Sequence, residues 1–318
     1  MKKLVIEFSN ERLITPSGLS LVGQLLGKSN FIKKCNNMKV DGKRSQSQIK
    51  NGDILLSYIG LLCQGKTSYD AINEMSDDPE YYKLALGITR AIPSAETLRQ
   101  RMDEIGSSLR EEILNANVAM FNTFHVQPSA LESELVPLDL DVTPMDNSKT
   151  HKEGESKTIT MRIVYEVIER TTDKNGQFLL VPDIECNTIW TNLGWSDDDI
   201  IKGYHAHGEC EQFHSEIKTD MDVERLPSGK FDTNELVLEL TVLAYNILRL
   251  IGQESMKSKR APKTKHPVKR RRIRTVIGNL IQIAGHITTH GRRIALAIGC
   301  SNVWRHAFMD VYNRFALA

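Results

Sequence analysis

Hydrophobic periodicity in this chain changes once, near residue 130, and that change limits the folds open to it. Before it, apolar residues recur at helical spacing, most clearly in Asp53-Ile-Leu-Leu-Ser-Tyr-Ile-Gly-Leu-Leu. Shorter helices are predicted at about 68–76 and 80–87. Ser94 is a good N-cap for another, in which Thr97, Leu98 and Met102 turn inward or sideways. Beyond residue 130, Leu135-Val-Pro-Leu-Asp-Leu-Asp-Val-Thr alternates apolar and polar residues, as a half-buried strand does. Two more strands are predicted, Arg162-Ile-Val-Tyr-Glu-Val-Ile-Glu-Arg and Gln177-Phe-Leu-Leu-Val-Pro, joined by the polar turn Thr172-Asp-Lys-Asn-Gly. Helix returns at 197–219 and 235–251, followed by a strand pair over 283–298, broken at Gly291, and a helix over 302–314. The predicted class is α/β, with an all-helical region over 1–130 and a mixed one over 131–318.

With 318 residues, 40% of them hydrophobic, the chain can bury a sizeable core and has length for about two domains. Its five cysteines are odd in number and scattered, with neither paired metal spacing nor a secreted framework, so a reducing cytosol is expected. The start, MKKLVIEFSNERL, turns acidic too early for a signal peptide. The longest apolar stretch, Leu236 to Ile251, carries Glu239 and Arg249 and is too short and polar to span a bilayer, so no membrane role is expected.

Helix, short turn, then a capped helix with Arg99, Gln100 and Arg101 near its start suits a helix-turn-helix, whose second helix offers its first residues to the DNA major groove. A plain helical bundle fits the same pattern, and both readings stay open. In the first strand Asp139 and Asp141 lie two residues apart and share a face. Asp is depleted in strands, and two carboxylates side by side repel unless a cation lies between them. A divalent metal, held by carboxylate oxygens, is one reading and a strand-end turn the other.

The segment YHAHGECEQFHSEIK, Tyr204 to Lys218, concentrates the remaining chemistry. On a helix His207, Glu211, His214 and Lys218 form one stripe. Zinc held by His207, Cys210 and His214 would want a second ligand pair from another element, and none lies nearby. A solvated helix face needs nothing further.

The spacing Tyr204, two residues, His207, three residues, Glu211, six residues, Lys218 is similar to the Y-(2)-R-(3)-E-(6)-K signature of DDE transposases of bacterial insertion sequences, with His207 in the Arg position. LDLDVTPMDNSKTHKEG resembles that family's first catalytic strand. ERLPSGKFDTNELVLELTVLAYNILRLIG resembles the region after its catalytic Glu, and RRRIRTVIGNLIQIAGHITTHGRRIALAI its C-terminal part. The likeness covers most of residues 130 to 318. It implies an RNase H-like fold over 131–318, preceded by a DNA-binding helical domain over 1–130. It also implies two divalent ions, Mg²⁺ or Mn²⁺, held by Asp, Asp and Glu, and hydrolysis at the element's DNA ends followed by strand transfer to target DNA. Asp141 would be the first catalytic metal ligand and Glu211 the third, with Asp139 as a further candidate. Tyr204 and Lys218 would contact DNA phosphate near the scissile strand, with His207 a further DNA-binding candidate; Arg99 and Arg101 are DNA-binding candidates on the helix-turn-helix reading. The implied partners are double-stranded DNA (terminal inverted repeats and target) and further copies of the chain on that DNA, in a bacterial cytoplasm at the nucleoid.

The second family Asp is missing where it is needed. Only sixty-nine residues separate Asp141 from Glu211, too few for the strands and helix an RNase H core places there. An internal deletion with its junction near 155–160 accounts for the short gap, with Asp183 as the candidate substitute ligand; the bland reading of Asp183 is a strand-end turn. Loss of one catalytic carboxylate would leave an impaired enzyme, or a DNA-binding remnant that inhibits an intact relative. Finally, Lys257 to Arg274 holds ten Lys or Arg, with Pro262 and Pro267 arguing against a continuous helix. Either a solvated linker or a phosphate-contacting loop fits, the second through Arg270, Arg271 and Arg272.

Overall fold

The computed structural model describes residues 6, 10–38, 48–127, 161–264, 266–291 and 293–317. The chain divides into two compact units, Met1–Val126 with Ser215–Ala318, and Gln127–His214. This redraws the expected division at residue 130: about a hundred C-terminal residues belong with the N-terminal helices.

The first unit begins with strand β1 (Arg12–Ile14) and helices α1 (Leu19–Leu26), α2 (Phe31–Asn37) and α3 (Asn51–Leu62). A 3₁₀ segment, Tyr69–Ser76, precedes α4 (Pro79–Leu86), α5 (Ala95–Ile105) and α6 (Arg110–Thr123). All twelve residues of α3 are buried, as its near-continuous apolar run requires. Asn51, Asp53 and Ser57 are its buried polar residues, and the Asp53 carboxylate accepts bonds from the Thr89 and Arg90 amides at 2.8 and 3.1 Å. Asp78 caps α4 by accepting from the Tyr81 amide at 3.0 Å, and Arg12 donates two bonds to it at 2.9 and 2.7 Å. The Arg12 guanidinium holds the Asp78 carboxyl below its ordinary pKa. Ser94 caps α5 through the Thr97 amide, as its position in sequence predicts. Gly23 in α1 has no room for a side chain, since a Cβ there would lie 1.8 Å from the Ala85 carbonyl oxygen of α4.

The second unit contains strands β2 (Arg162–Thr172) and β3 (Phe178–Thr191) and helix α7 (Asp197–Ser215). The strands form the predicted antiparallel hairpin, from Arg162 opposite Thr191 to Thr172 opposite Phe178, with a register shift between Arg170 and Thr172. Asp173 closes the turn by accepting from the Asn175 and Gln177 amides, both at 2.8 Å, and Gly176 takes the left-handed φ of +83°. Val164, Ile189 and Ile200 make a small core, with Trp195 and Ile201 packed against it. On the opposite face Tyr165, Val167, Ile184 and Trp190 are 62–67% exposed.

The chain then returns to the first unit. A π-helical turn (Glu216–Asp220) leads to α8 (Phe231–Met256), which packs against α3, α5, α6 and the later helix α10. Leu236, Val237, Leu240, Leu243, Ala244, Ile247 and Ile251 of α8 are fully buried. Short helix α9 (Ile273–Val276) precedes the hairpin β4 (Gly285–His290) and β5 (Arg293–Ile298), and α10 (Arg305–Leu317) follows. Strand β1 pairs antiparallel with β4, Leu13 opposite His286, so the sheet order is β1-β4-β5. That pairing and the burial of α8 tie the two ends of the chain into one core, which is why Ser215–Ala318 groups with the N-terminal helices rather than with the segment that begins at Gln127.

The class is mixed α/β. An RNase H-like core is not assembled among the described residues, where the second unit has one hairpin and one helix. The expected strand at Leu135–Thr143, with Asp139 and Asp141, and the junction near 155–160 lie outside the described residues. No helix among the described residues is long and apolar enough to cross a membrane.

Candidate active-site helix and its arginine-bound turn

Helix α7 carries the Tyr204-to-Glu211 part of the segment that resembles a transposase signature. Ser196 starts it, accepting from the Asp199 amide at 3.2 Å, and three aspartates, Asp197 to Asp199, fill the electropositive first turn. Arg162 of β2 bonds to Asp197 and to the Trp195 carbonyl at 2.6 Å. Ile200 enters the hairpin core, and one turn later His205 Nε2 lies 2.8 Å from Glu166 Oε1 of β2. Asn187 of β3 donates to the other Glu166 oxygen at 3.2 Å. Those two partners, His205 foremost, hold the Glu166 carboxyl below its ordinary pKa. Helix and hairpin are thus fastened at both ends of their contact, by an apolar cluster and by a carboxylate.

Tyr204 is 54% exposed, its ring edge-on to His205. His207 is helical. Glu211 is exposed and makes no hydrogen bond or ion pair among the described residues. Lys218, in the first unit, is likewise exposed and unpaired among the described residues.

Lys218 sits in the π-helical turn Glu216–Asp220. Glu216 has a 4% exposed side chain, accepting from Tyr245 Oη at 2.9 Å and from Arg270 Nη1 at 2.5 Å. The Asp220 side chain is fully buried; Arg272 donates to it through Nε and Nη2 at 2.8 and 3.1 Å, and the Arg274 amide at 3.2 Å. Asp220 in turn raises the Arg272 pKa. Burial, and after it Glu216, raises the Tyr245 pKa.

This changes the reading of the basic run. Arg270 and Arg272 neutralise buried carboxylates. Arg271 is itself buried, stacked 4.6 Å over the Trp304 ring, with Nε bonded to Ser255 Oγ at 3.1 Å and Nη2 to the Pro262 carbonyl at 3.0 Å. Burial lowers its pKa. An aromatic bed and a free carbonyl make that buried position possible. The expectation that Arg271 offers its charge to DNA is therefore corrected. Arg101 is corrected too: it is buried, bonded to Glu104 at 2.6 Å and to Asn51. Arg99 is exposed and paired with Glu96 at 2.6 Å.

Asp183 stands inside β3 opposite Arg170, not at a strand end, and is exposed. Arg170 lies 3.4 Å from it and 2.6 Å from Glu185. A metal at Asp183 would have to displace that guanidinium. Among the described residues no group of three or more His, Cys, Asp or Glu could hold a metal ion. Glu216, Asp220 and Tyr245 escaped the sequence reading. Their signal was charge: two acids four residues apart that flank Lys218 at the end of the signature, in a chain whose densest basic run must find counter-ions.

Compared with known protein families, residues 153–318 match the family described as Transposase DDE domain group 1. The matched span holds Asp183, Tyr204, His207, Glu211, Lys218 and Arg270 to Arg272. Asp139, Asp141, Arg99 and Arg101 precede it. No curated protein and no solved structure gave a significant match.

Proposed function

Because the chain belongs to the transposase DDE domain family, we propose that it binds the terminal inverted repeats of an insertion sequence and is built for cleavage and strand transfer at those ends, with the chemistry impaired by loss of the second catalytic Asp. The observation that carries this reading is Glu211: a carboxylate that is exposed and without a partner among the described residues, on a helix fastened to the hairpin up to His205, within the Tyr204, His207, Glu211, Lys218 spacing. Glu211 is proposed as the catalytic carboxylate and Asp141 as its partner. Tyr204, His207, Lys218 and Arg99 are proposed to contact DNA. Copies of the chain would act together on paired ends, at the nucleoid of a bacterial cytoplasm.

Transposase DDE domains generally use divalent metal ions. The described residues do not fit such an ion, since no group among them converges on one point and the candidate Asp183 faces Arg170. No catalytic step is assigned through Mg²⁺ here. The short gap of sixty-nine residues between Asp141 and Glu211 favours a second reading, a DNA-binding remnant without catalysis that occupies the ends and inhibits an intact transposase.

Incubating the native chain and its Glu211→Gln form with duplex DNA from its own gene flanks, in Mg²⁺ and then Mn²⁺, separates the two. Weak cutting and joining that vanish in the variant support the impaired enzyme. Retardation with no cutting in either supports the remnant.

A further inference from the structure

Lys218 leaves the chain from an uncommon piece of backbone. A π-helical turn is rare and is found mostly as a single turn, frequently at functional sites. Here both ends are held. Glu216 and Asp220 begin and end the turn, and both carboxylates are buried. Buried carboxylates are strongly unfavourable unless paired and hydrogen-bonded. Arg270 supplies the partner for one, with Tyr245; Arg272 supplies a two-bond fork for the other. The chain beyond is fixed as well. Met221 is fully buried, Asp222 takes a left-handed φ of +57°, and Thr67 donates to its carbonyl at 2.9 Å. Between these anchors only Ile217, Lys218 and Thr219 remain, and the latter two are exposed.

We infer that Arg270 and Arg272 are positioning residues, which act on DNA by locking the π-helical turn that presents Lys218 and not by touching phosphate themselves. This rests on the proposed role of Lys218 as a phosphate contact. Removing Arg272 leaves the buried Asp220 carboxylate with only the Arg274 amide at 3.2 Å and the Arg274 guanidinium at 3.5 Å. Removing Arg270 takes the guanidinium from Glu216, which keeps Tyr245. Either change weakens one end of the turn and lets it open more readily to water. A lysine on an opened turn loses its fixed direction, while its charge and the overall fold are retained. The basic run thereby gains a task that net charge alone would not require of it: two of its cations, Arg270 and the half-exposed Arg272, are turned onto buried carboxylates to aim a third that lies outside the run.

The test pairs two measurements on the full chain: hydrogen–deuterium exchange across residues 216–223, and affinity for a duplex from the gene's own flanks. Arg272→Gln is expected to speed exchange in that segment while other segments keep their protection. It is also expected to weaken DNA binding about 2- to 30-fold, the usual range for coupling through an intervening element. In a Lys218→Ala background the same substitution should cost no further affinity, whereas in an Arg99→Ala background it should cost the full amount. Unchanged exchange overturns the lock, and a loss repeated in full without Lys218 means that Arg272 meets phosphate directly. Should Arg272→Gln disturb the fold more widely, Arg270→Lys keeps a charge beside Glu216 and carries the same comparison. A native chain that fails to bind duplex DNA would sink the proposed function, and the exchange result would still decide whether the arginines hold the turn.

Discussion

The two compact units solve the same problem with unequal means. The first buries α3 on every side and the inner face of α8, and closes its sheet with a strand from each end of the chain. The second rests on Val164, Ile189 and Ile200, with Trp195 and Ile201 beside them, and leaves the other face of its hairpin in solvent. A lone two-stranded sheet is marginal in water without a helix or further strands to cover it. The helix that covers this one is also the helix that carries Glu211, so in the second unit the elements that give stability and those proposed for chemistry are the same. In the first unit they are separate: a deep core carries the fold, and a surface turn carries Lys218.

That contrast can be broken by substitution. The largest effect is expected at Leu240 of α8, fully buried. Leu240→Ala should cost about 2–5 kcal/mol in urea unfolding and lower the midpoint for the whole first unit. A loss confined to local fraying would show that α8 is not the common core. Ile200→Ala should cost about 2 kcal/mol, at the low end for such truncations, because its surroundings are sparse and free to collapse. Its signature should be an early change in Trp195 fluorescence, with the first unit's transition unmoved; a single shared transition would refute independent stabilities.

Asp78→Ala removes the α4 cap and the Arg12 partner together and should cost about 0.5–2 kcal/mol at pH 7. The Asp78 pKa is lowered in the fold, so its contribution is present above the unfolded carboxylate value, about 3.9. It is lost as pH falls through the lower folded value. The gap between native and variant should therefore close on acidification below about pH 4, and a gap independent of pH would argue against the ion pair. The smallest effect is expected on the exposed hairpin face: Val167→Thr should change stability by no more than about 0.5 kcal/mol. A larger loss would mean that this face is covered in solution.

What the sequence revealed was what local spacing determines. Helix α3, the Ser94 cap and the Asp173–Gly176 turn each follow from a few adjacent residues, and each formed where periodicity and turn chemistry put it. What it hid was non-local. Pairing of Leu13 with His286 joins residues that nothing in either strand marks as partners, and without it the return of Ser215–Ala318 to the N-terminal helices is not legible. Charged side chains misled for a related reason. Arg101 and Arg271 read as surface cations, yet Asn51 and Glu104 receive one and Trp304, Ser255 and the Pro262 carbonyl the other. Arginine can be buried where a planar fork finds acceptors or an aromatic face, and those partners come from distant parts of the chain.

The central claim is that this member of the transposase DDE family recognises the ends of its own element. The direct measurement is gel retardation of the full chain on duplex DNA from its gene flanks against a shuffled duplex of equal length and composition, at several salt concentrations. The account predicts tighter binding to the flanks, preserved as salt weakens both complexes, and a shallower salt dependence for Lys218→Ala, reduced by about one phosphate contact. Equal retardation of both duplexes, or none of either, would contradict it.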